Sequence, residues 1–248
     1  MKNSWIKYDT VQSTNTSVSE LIKQGTPEEG TVVIADYQET GRGQGEHSWL
    51  SQRGENLLMS LLLFPAFLSA SEQFYLSMVA SLGLCDALEE VGVNPVIKWP
   101  NDILTGRGKI AGLLIEHGII SDHIAHTIIG IGLNLNQTEF PAFPMPATSL
   151  YQETGNLTRV ADMGKIVESC LLGRYQELKE GQHKALGKEY FRKLFMAGIS
   201  SVFKAGDERF EGIIRGVTDS GELMVEIRGN LRTFRYGAIS MEMDYGNI

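Results

Sequence analysis

The stretch VIKWPNDILTGRGKIAGLLIEHG, residues 96–118, carries most of the information about this chain. A short apolar run at 96–99 stops at a proline, and the pair Thr105-Gly106 marks a turn. A second apolar run opens on Lys109 and continues to His117. After another turn at Ser121-Asp122, a third run occupies 124–133. Short β-type runs separated by turn residues predict neighbouring strands of one sheet.

The polar residues in this frame fall where chemistry is commonly done. Lys98, Asn101 and Asp102 surround the proline at a strand end, the position at which α/β proteins place ligands. A carboxylate there can help hold Mg²⁺ with nucleotide phosphates, or the segment is a capped turn with solvated charges. Lys109 heads an apolar strand, so its ammonium stays at the rim as a point charge for a carbonyl or phosphate oxygen, as an ordinary surface lysine would also do. Gly112 allows a ligand or another backbone to come close. GIGLNLN, residues 130–136, ends the third run with Gly130, Gly132 and Asn134, whose amide needs a partner if buried; turn chemistry is the rival reading.

Working outward, residues 15–24 read as a short helix with Ser13, Thr14 and Asn15 as N-cap candidates and Gly25 as its stop. A buried strand is predicted at 31–37, a second at 56–64, and long amphipathic helices at 71–91 and 160–178. FPAFPMPAT, 140–148, is a loop. Beyond about residue 200 the pattern changes to short alternating runs broken by Gly or Asp, predicting a small antiparallel barrel of about five strands. Between the first two strands lies GRGQGEHSWL, 41–50, whose backbone N–H groups and Arg42 could cradle an anion. Its spacing fits neither common phosphate-loop pattern, and a flexible hairpin tip is the alternative. Three glycines leave such a loop little reason to hold one conformation unaided.

Composition sets the outer bounds. With 248 residues, 42% hydrophobic, the chain can bury a large core, and its formal charge of −8 argues against general nucleic-acid affinity. No segment is long and apolar enough to suggest secretion or membrane insertion. Cys85 and Cys170 have no metal-type spacing and read as reduced core residues of a cytoplasmic protein. His117, His123 and His126 sit near one turn without a cysteine or supporting shell, which speaks against zinc.

Taken in order, Ser13-Thr14-Asn15, Gln38, GRG at 41–43, Trp49, KWPND at 98–102, K-x-A-G-x-L-x-E at 109–116 and GIGxNxN at 130–136 resemble the catalytic domain of biotin protein ligases. The resemblance covers essentially the whole chain. It implies an α+β fold, a mixed sheet flanked by helices of the class II synthetase-like type, over residues 1–198, with a small SH3-like β-barrel at 199–248. It further implies a ligase without the DNA-binding helix-turn-helix of the repressor-type members, because the Ser-Thr-Asn motif begins at residue 13. The implied reaction activates biotin with ATP and Mg²⁺ to biotinyl-5′-AMP and transfers it to a lysine of a biotin carboxyl carrier protein. Homodimerisation stays open.

The resemblance also assigns residues. Lys109, Arg42 and Asp102 would be catalytic, with Asp102 holding the metal or the incoming lysine. Ser13, Thr14, Asn15, Gln38, Gly41, Arg42, Gly43, Lys109, Gly112, Gly130 and Gly132 would line the biotin pocket, and Gln44, Trp49, Lys98 and Asn134 would meet the nucleotide. Gln44 and His47 depart from the common family loop, which carries arginines there, so weaker retention of the adenylate is expected. A lipoate or octanoyl ligase, and a non-catalytic biotin or nucleotide sensor, are the alternatives.

Overall fold

The structure, a computed structural model, describes residues 4–242 apart from positions 26 and 46. Seven strands form one sheet: β1 (Trp5–Val11), β2 (Val32–Gln38), β3 (Asn56–Leu63), β4 (Val96–Lys98), β5 (Asp102–Thr105), β6 (Gly108–Ile120) and β7 (His123–Asn134). Their order is β1-β2-β3-β7-β6-β5-β4. Only β1 and β2 run parallel, joined over the sheet by helix α1 (Thr14–Gln24). The other neighbours are antiparallel.

Strand β3 shows why the sequence reads as an unbroken apolar run. Leu57, Met59, Leu61 and Leu63 enter the main core, while Leu62 on the opposite face packs with Val18, Val33 and Ile128 beneath α1. Both faces are covered, so alternation disappears. The main core lies under α2 (Phe74–Glu90), α4 (Val160–Lys179) and α5 (His183–Lys193). Helices α2 and α4 cross closely at Gly83, where a Cβ would stand 2.8 Å from Leu171 Cα.

The chain continues into a second, antiparallel sheet made of β8 (Ser200–Ala205), β9 (Glu208–Val217), β10 (Leu223–Ile227), β11 (Asn230–Phe234) and β12 (Ser240–Met241), ordered β11-β10-β9-β8-β12. Phe203, Ile214, Leu223, Val225 and Phe234 join the main core. The turn between β9 and β10 is tied to the first unit by Trp99 Nε1, which donates to Gly221 O (3.0 Å), and by Tyr75 Oη of α2, which donates to Asp219 (2.9 Å).

Several elements differ from the sequence expectation. Strand β1 was not anticipated: five of its seven residues are half-buried and none is fully buried, so its hydrophobic signal is weak. Strand β5 lies inside the segment read as a turn, and its four residues are too few to show a period. Helices α5 and α3 (Leu150–Thr154) also went unread, α5 because only Leu186 and Tyr190 bury. Cys170 is a second correction, for it lies half-buried at the rim with its thiol toward Glu90, while Cys85 is buried. No helix among the described residues is long and apolar enough to cross a membrane.

The close crossing at Gly83 yields a test. Gly83→Val is expected to cost about 1–3 kcal/mol through forced separation of α2 and α4, lowering the melting temperature by about 2–4 °C per kcal/mol. An unchanged melting curve would show that the crossing relaxes freely.

Candidate functional site

On the α1 side of the sheet, β6 and β7 carry glycine where a packed strand would carry a branched side chain. Gly112 stands opposite Gly132, and Leu114 opposite Gly130, so the three glycines form one bare patch. Above it opens a cavity of about 510 Å³, bounded by the start of α1, Gln38, the 41–49 hairpin, the 98–102 turn and Lys109.

The polar end of the cavity is built at the α1 N-terminus. Ser13 occupies the N-cap position yet its side chain makes no capping bond. Gln38 takes over that task, its Oε1 accepting from the Thr14 N–H (2.8 Å) and Thr14 Oγ1 (3.1 Å). Asn15 lies over Gly130, where any Cβ would collide with its carboxamide. Its Nδ2 donates to Leu114 O (3.2 Å) and Glu116 Oε2 (2.7 Å), and Ser60 Oγ donates to its Oδ1 (2.6 Å). Ser60, fully buried in β3, is a member of the site that sequence reasoning missed. Its signal was a lone hydroxyl inside an otherwise apolar strand.

The glycine loop folds as a narrow hairpin. Gly43 N–H donates to His47 O (2.7 Å), Trp49 N–H donates to Gly41 O (2.8 Å), and Arg42 bridges Ser48. A Cβ at Gly41 would strike the Trp49 carbonyl, which explains that glycine without invoking a ligand. The hairpin lays the Trp49 indole across Gly112 and Gly132. Trp49 Nε1 is buried there with no hydrogen-bond partner among the described residues, as are Gln44 Oε1 and Asn134 Oδ1. Asn134 uses its Nδ2 to reach Thr148 O (2.9 Å). Asn136, by contrast, is turn chemistry, exchanging hydrogen bonds with the Thr158 backbone.

Positive charge is concentrated at the other end. Asp102 pairs with Lys109 (2.6 Å) through Oδ1 and with Lys98 (3.6 Å) through Oδ2, and its side chain is only 15% exposed. Two ammonium groups against one carboxylate leave a net positive corner in an acidic protein. The Lys109 ammonium also sits 5.6 Å from the centre of the Trp49 ring. Tyr236, from the second sheet, closes this corner; burial, then the charge of Asp102, raises its phenol above the usual range. Phe140, Phe143 and Met145 of the proline-rich loop complete the wall. Neither Tyr236 nor these apolar side chains had a local signal in the sequence.

Two assignments change on this geometry. Arg42 lines the cavity but directs both terminal guanidinium nitrogens to Glu116, Nη1 to Oε1 at 3.0 Å and Nη2 to Oε2 at 2.8 Å, whereas Lys109 and Lys98 share a single carboxylate. Asp102 does not fit a protein-held magnesium ion, because each of its oxygens is claimed by an ammonium group. Among the described residues no three His, Cys, Asp or Glu side chains gather to hold a metal.

Comparison with known proteins places this geometry in context. Residues 8–134 match the family model described as the biotin/lipoate A/B protein ligase family. The chain is 33% identical over 234 residues to the bifunctional ligase/repressor BirA of Bacillus subtilis (strain 168), covering 92% of this chain and 70% of that one. It is 28% identical over 203 residues to the biotin--[acetyl-CoA-carboxylase] ligase of Paracoccus denitrificans, covering 78% of this chain and 82% of that one. Its fold is similar to that of the biotin protein ligase from Aquifex aeolicus in complex with biotin and ATP, with a TM-score of 0.80, 28% identity, and coverage of 98% and 100%.

The indole seat gives one prediction. Gly132→Ala is expected to lift Trp49 from the sheet, shifting its emission to the red when read as a difference against Trp49→Phe; an unshifted spectrum would refute the seat. A second concerns His117, which hydrogen-bonds Thr127 Oγ1 (2.9 Å) on the opposite face. Burial first, then the charge of His126, pushes its imidazole from 6.5 down to about 4. Between those values the unfolded chain binds the extra proton and the folded one does not, so stability falls as pH drops through that window. His117→Asn should flatten this part of the melting-temperature profile, and an unaltered slope would count against a buried neutral imidazole.

Proposed function

The chain belongs to the biotin/lipoate A/B protein ligase family, and from that premise we propose that it is a biotin protein ligase. It activates the carboxylate of biotin with ATP and passes the biotinyl group to a lysine of a biotin carboxyl carrier domain. The observation that carries this reading is the cavity's polarity. A cluster of neutral hydrogen-bonding groups, Ser13, Thr14, Asn15 and Gln38, lies at one end with Ser60 behind Thr14 and Asn15, and the Lys109–Asp102–Lys98 trio lies at the other.

A bicyclic ureido group offers both N–H donors and a carbonyl acceptor, which suits the neutral end. A lipoyl dithiolane offers neither donor, so the same groups would be left unpaired. The valeryl chain would lie along the bare glycine patch of Gly112, Gly130 and Gly132, and the carboxylate would reach Lys109. In the first step a carboxylate oxygen attacks the α-phosphorus of ATP and the bond to the bridging oxygen breaks, releasing pyrophosphate. Negative charge gathers on the phosphoryl oxygens, where Lys109 and Lys98 would oppose it. Trp49 Nε1, Asn134 Oδ1 and Gln44 Oε1 have polar valences free for the nucleotide. Magnesium would arrive on the nucleotide phosphates.

In the second step a neutral lysine amine attacks the anhydride carbonyl, an amide bond forms, AMP leaves with the C–O electron pair, and the proton shed by the nitrogen passes to solvent. Asp102, already beside the trio, would orient that amine. The unit from 1 to 198 would carry this chemistry, with the second sheet contributing Tyr236.

The test uses ATP–pyrophosphate exchange with biotin, followed by transfer to a carrier domain. Lys109→Ala should lower exchange by about a hundredfold or more. It should cost the fold only about 1 kcal/mol, because Asp102 keeps Lys98 as a partner. Wild-type exchange with lipoate and not biotin would select the lipoyl alternative, and binding without exchange would select the sensor.

A further inference from the structure

Strand β6 alternates strictly about Glu116. By the period of a strand Gly112, Leu114 and Glu116 share one face, where Glu116 meets Asn15, while Leu113, Ile115 and His117 fall on the other. Glu116 therefore rises beside the α1 N-terminus at the margin of the glycine patch. Its two oxygens receive three donors: the Arg42 fork at 3.0 and 2.8 Å and the Asn15 amide at 2.7 Å.

The three residues so joined come from separate parts of the chain. Arg42 belongs to the hairpin that seats Trp49, Asn15 to the start of α1, and Glu116 to the sheet itself. We infer that Glu116 is a positioning residue for the ligase reaction: it latches the 41–49 hairpin to the sheet through Arg42 and fixes the rotamer of Asn15. The inference rests on the proposed function for its catalytic meaning, though the latch itself does not.

Physical reasons favour a latch over a merely solvated ion pair. A bidentate fork defines direction as well as distance, so one pair fixes the hairpin's angle to the sheet. The hairpin needs such a constraint, because its own backbone bonds, Gly43 to His47 and Trp49 to Gly41, set its width and leave its tilt free. Asn15 is 2% exposed and its carboxamide is oriented at both ends, Oδ1 by Ser60 and Nδ2 by Glu116 and Leu114 O. Glu116 thus decides which of its atoms faces the cavity. Arg42 in this arrangement positions the loop.

Hydrogen exchange on the ligand-free protein tests the latch without any substrate. Glu116→Gln keeps the shape and gives the fork one acceptor and an opposing NH₂. The Gly43, His47 and Trp49 amides should then exchange about tenfold faster, while Leu58 and Ile131 in the sheet stay protected. Arg42→Ala should match this, and the double variant should exceed neither, as a shared interaction requires. Unchanged hairpin exchange, or additive effects, would overturn the latch. Acceleration of the sheet amides along with the hairpin would overturn it too, by showing a general loss of fold. In pyrophosphate exchange, Glu116→Gln should raise the biotin KM by about tenfold with kcat altered less than about threefold, and Glu116→Asp should recover part of the loss. A fall in kcat at constant KM would place Glu116 in the chemistry and overturn the positioning role. Absence of exchange activity in the wild type would sink the proposed function while leaving the amide measurement able to judge the latch.

Discussion

The site depends on a steric vacancy. Gly112, Gly130 and Gly132 lack Cβ atoms on one face of a sheet that is otherwise filled by Leu and Ile, and added methyl groups there would collide with the Trp49 indole or the Asn15 carboxamide. Everything that gives the cavity its character rests on that patch. The indole can lie flat because nothing rises beneath it, and the amide can turn toward Ser60 for the same reason. Opposite the patch, Leu57, Met59 and Leu61 of the neighbouring strand are fully buried in the main core. A rigid, close-packed support on one face is what lets the other face stay bare without collapsing.

Electrostatics is organised with the same economy. A chain of formal charge −8 gathers two lysines around one half-sheltered aspartate and places this trio at the cavity's far end. Cross-strand register does the placing: Lys98 stands opposite Asp102, Asp102 opposite Gly112, and a register shift beside Ile103 brings Lys109 alongside. Aspartate keeps the ammonium groups fixed in the absence of an anion, so little reordering is needed when one arrives. Arginine is used differently, its planar fork serving the geometry of the hairpin through Glu116.

The second sheet is part of the site's construction. Trp99 belongs to the same turn as Asp102 and donates to Gly221, while Phe74 packs against that glycine. Tyr236 reaches the corner held by Asp102 and stands 6.3 Å from the Trp99 ring. Motion of the second sheet relative to the first would therefore be felt at the trio.

The sequence by itself determined the mixed α+β organisation, the two long helices and the change to short strands near residue 200. These rest on local periodicity and turn residues, which act over a few positions and survive without tertiary context. Motif residues from Ser13 to Asn134 were also legible, because glycine, lysine and asparagine in strands are costly and so conspicuous. Tertiary structure alone decided which partners those residues take. Arg42 could not be read as Glu116's partner, since the two are brought together only by hairpin and sheet meeting in space. Asp102 looked like a free carboxylate until two lysines closed on it. Phe143 and Tyr236 gave no usable warning, because a side chain's membership in a cavity depends on which face it takes and what lies across from it, and neither is a property of its neighbours in the chain.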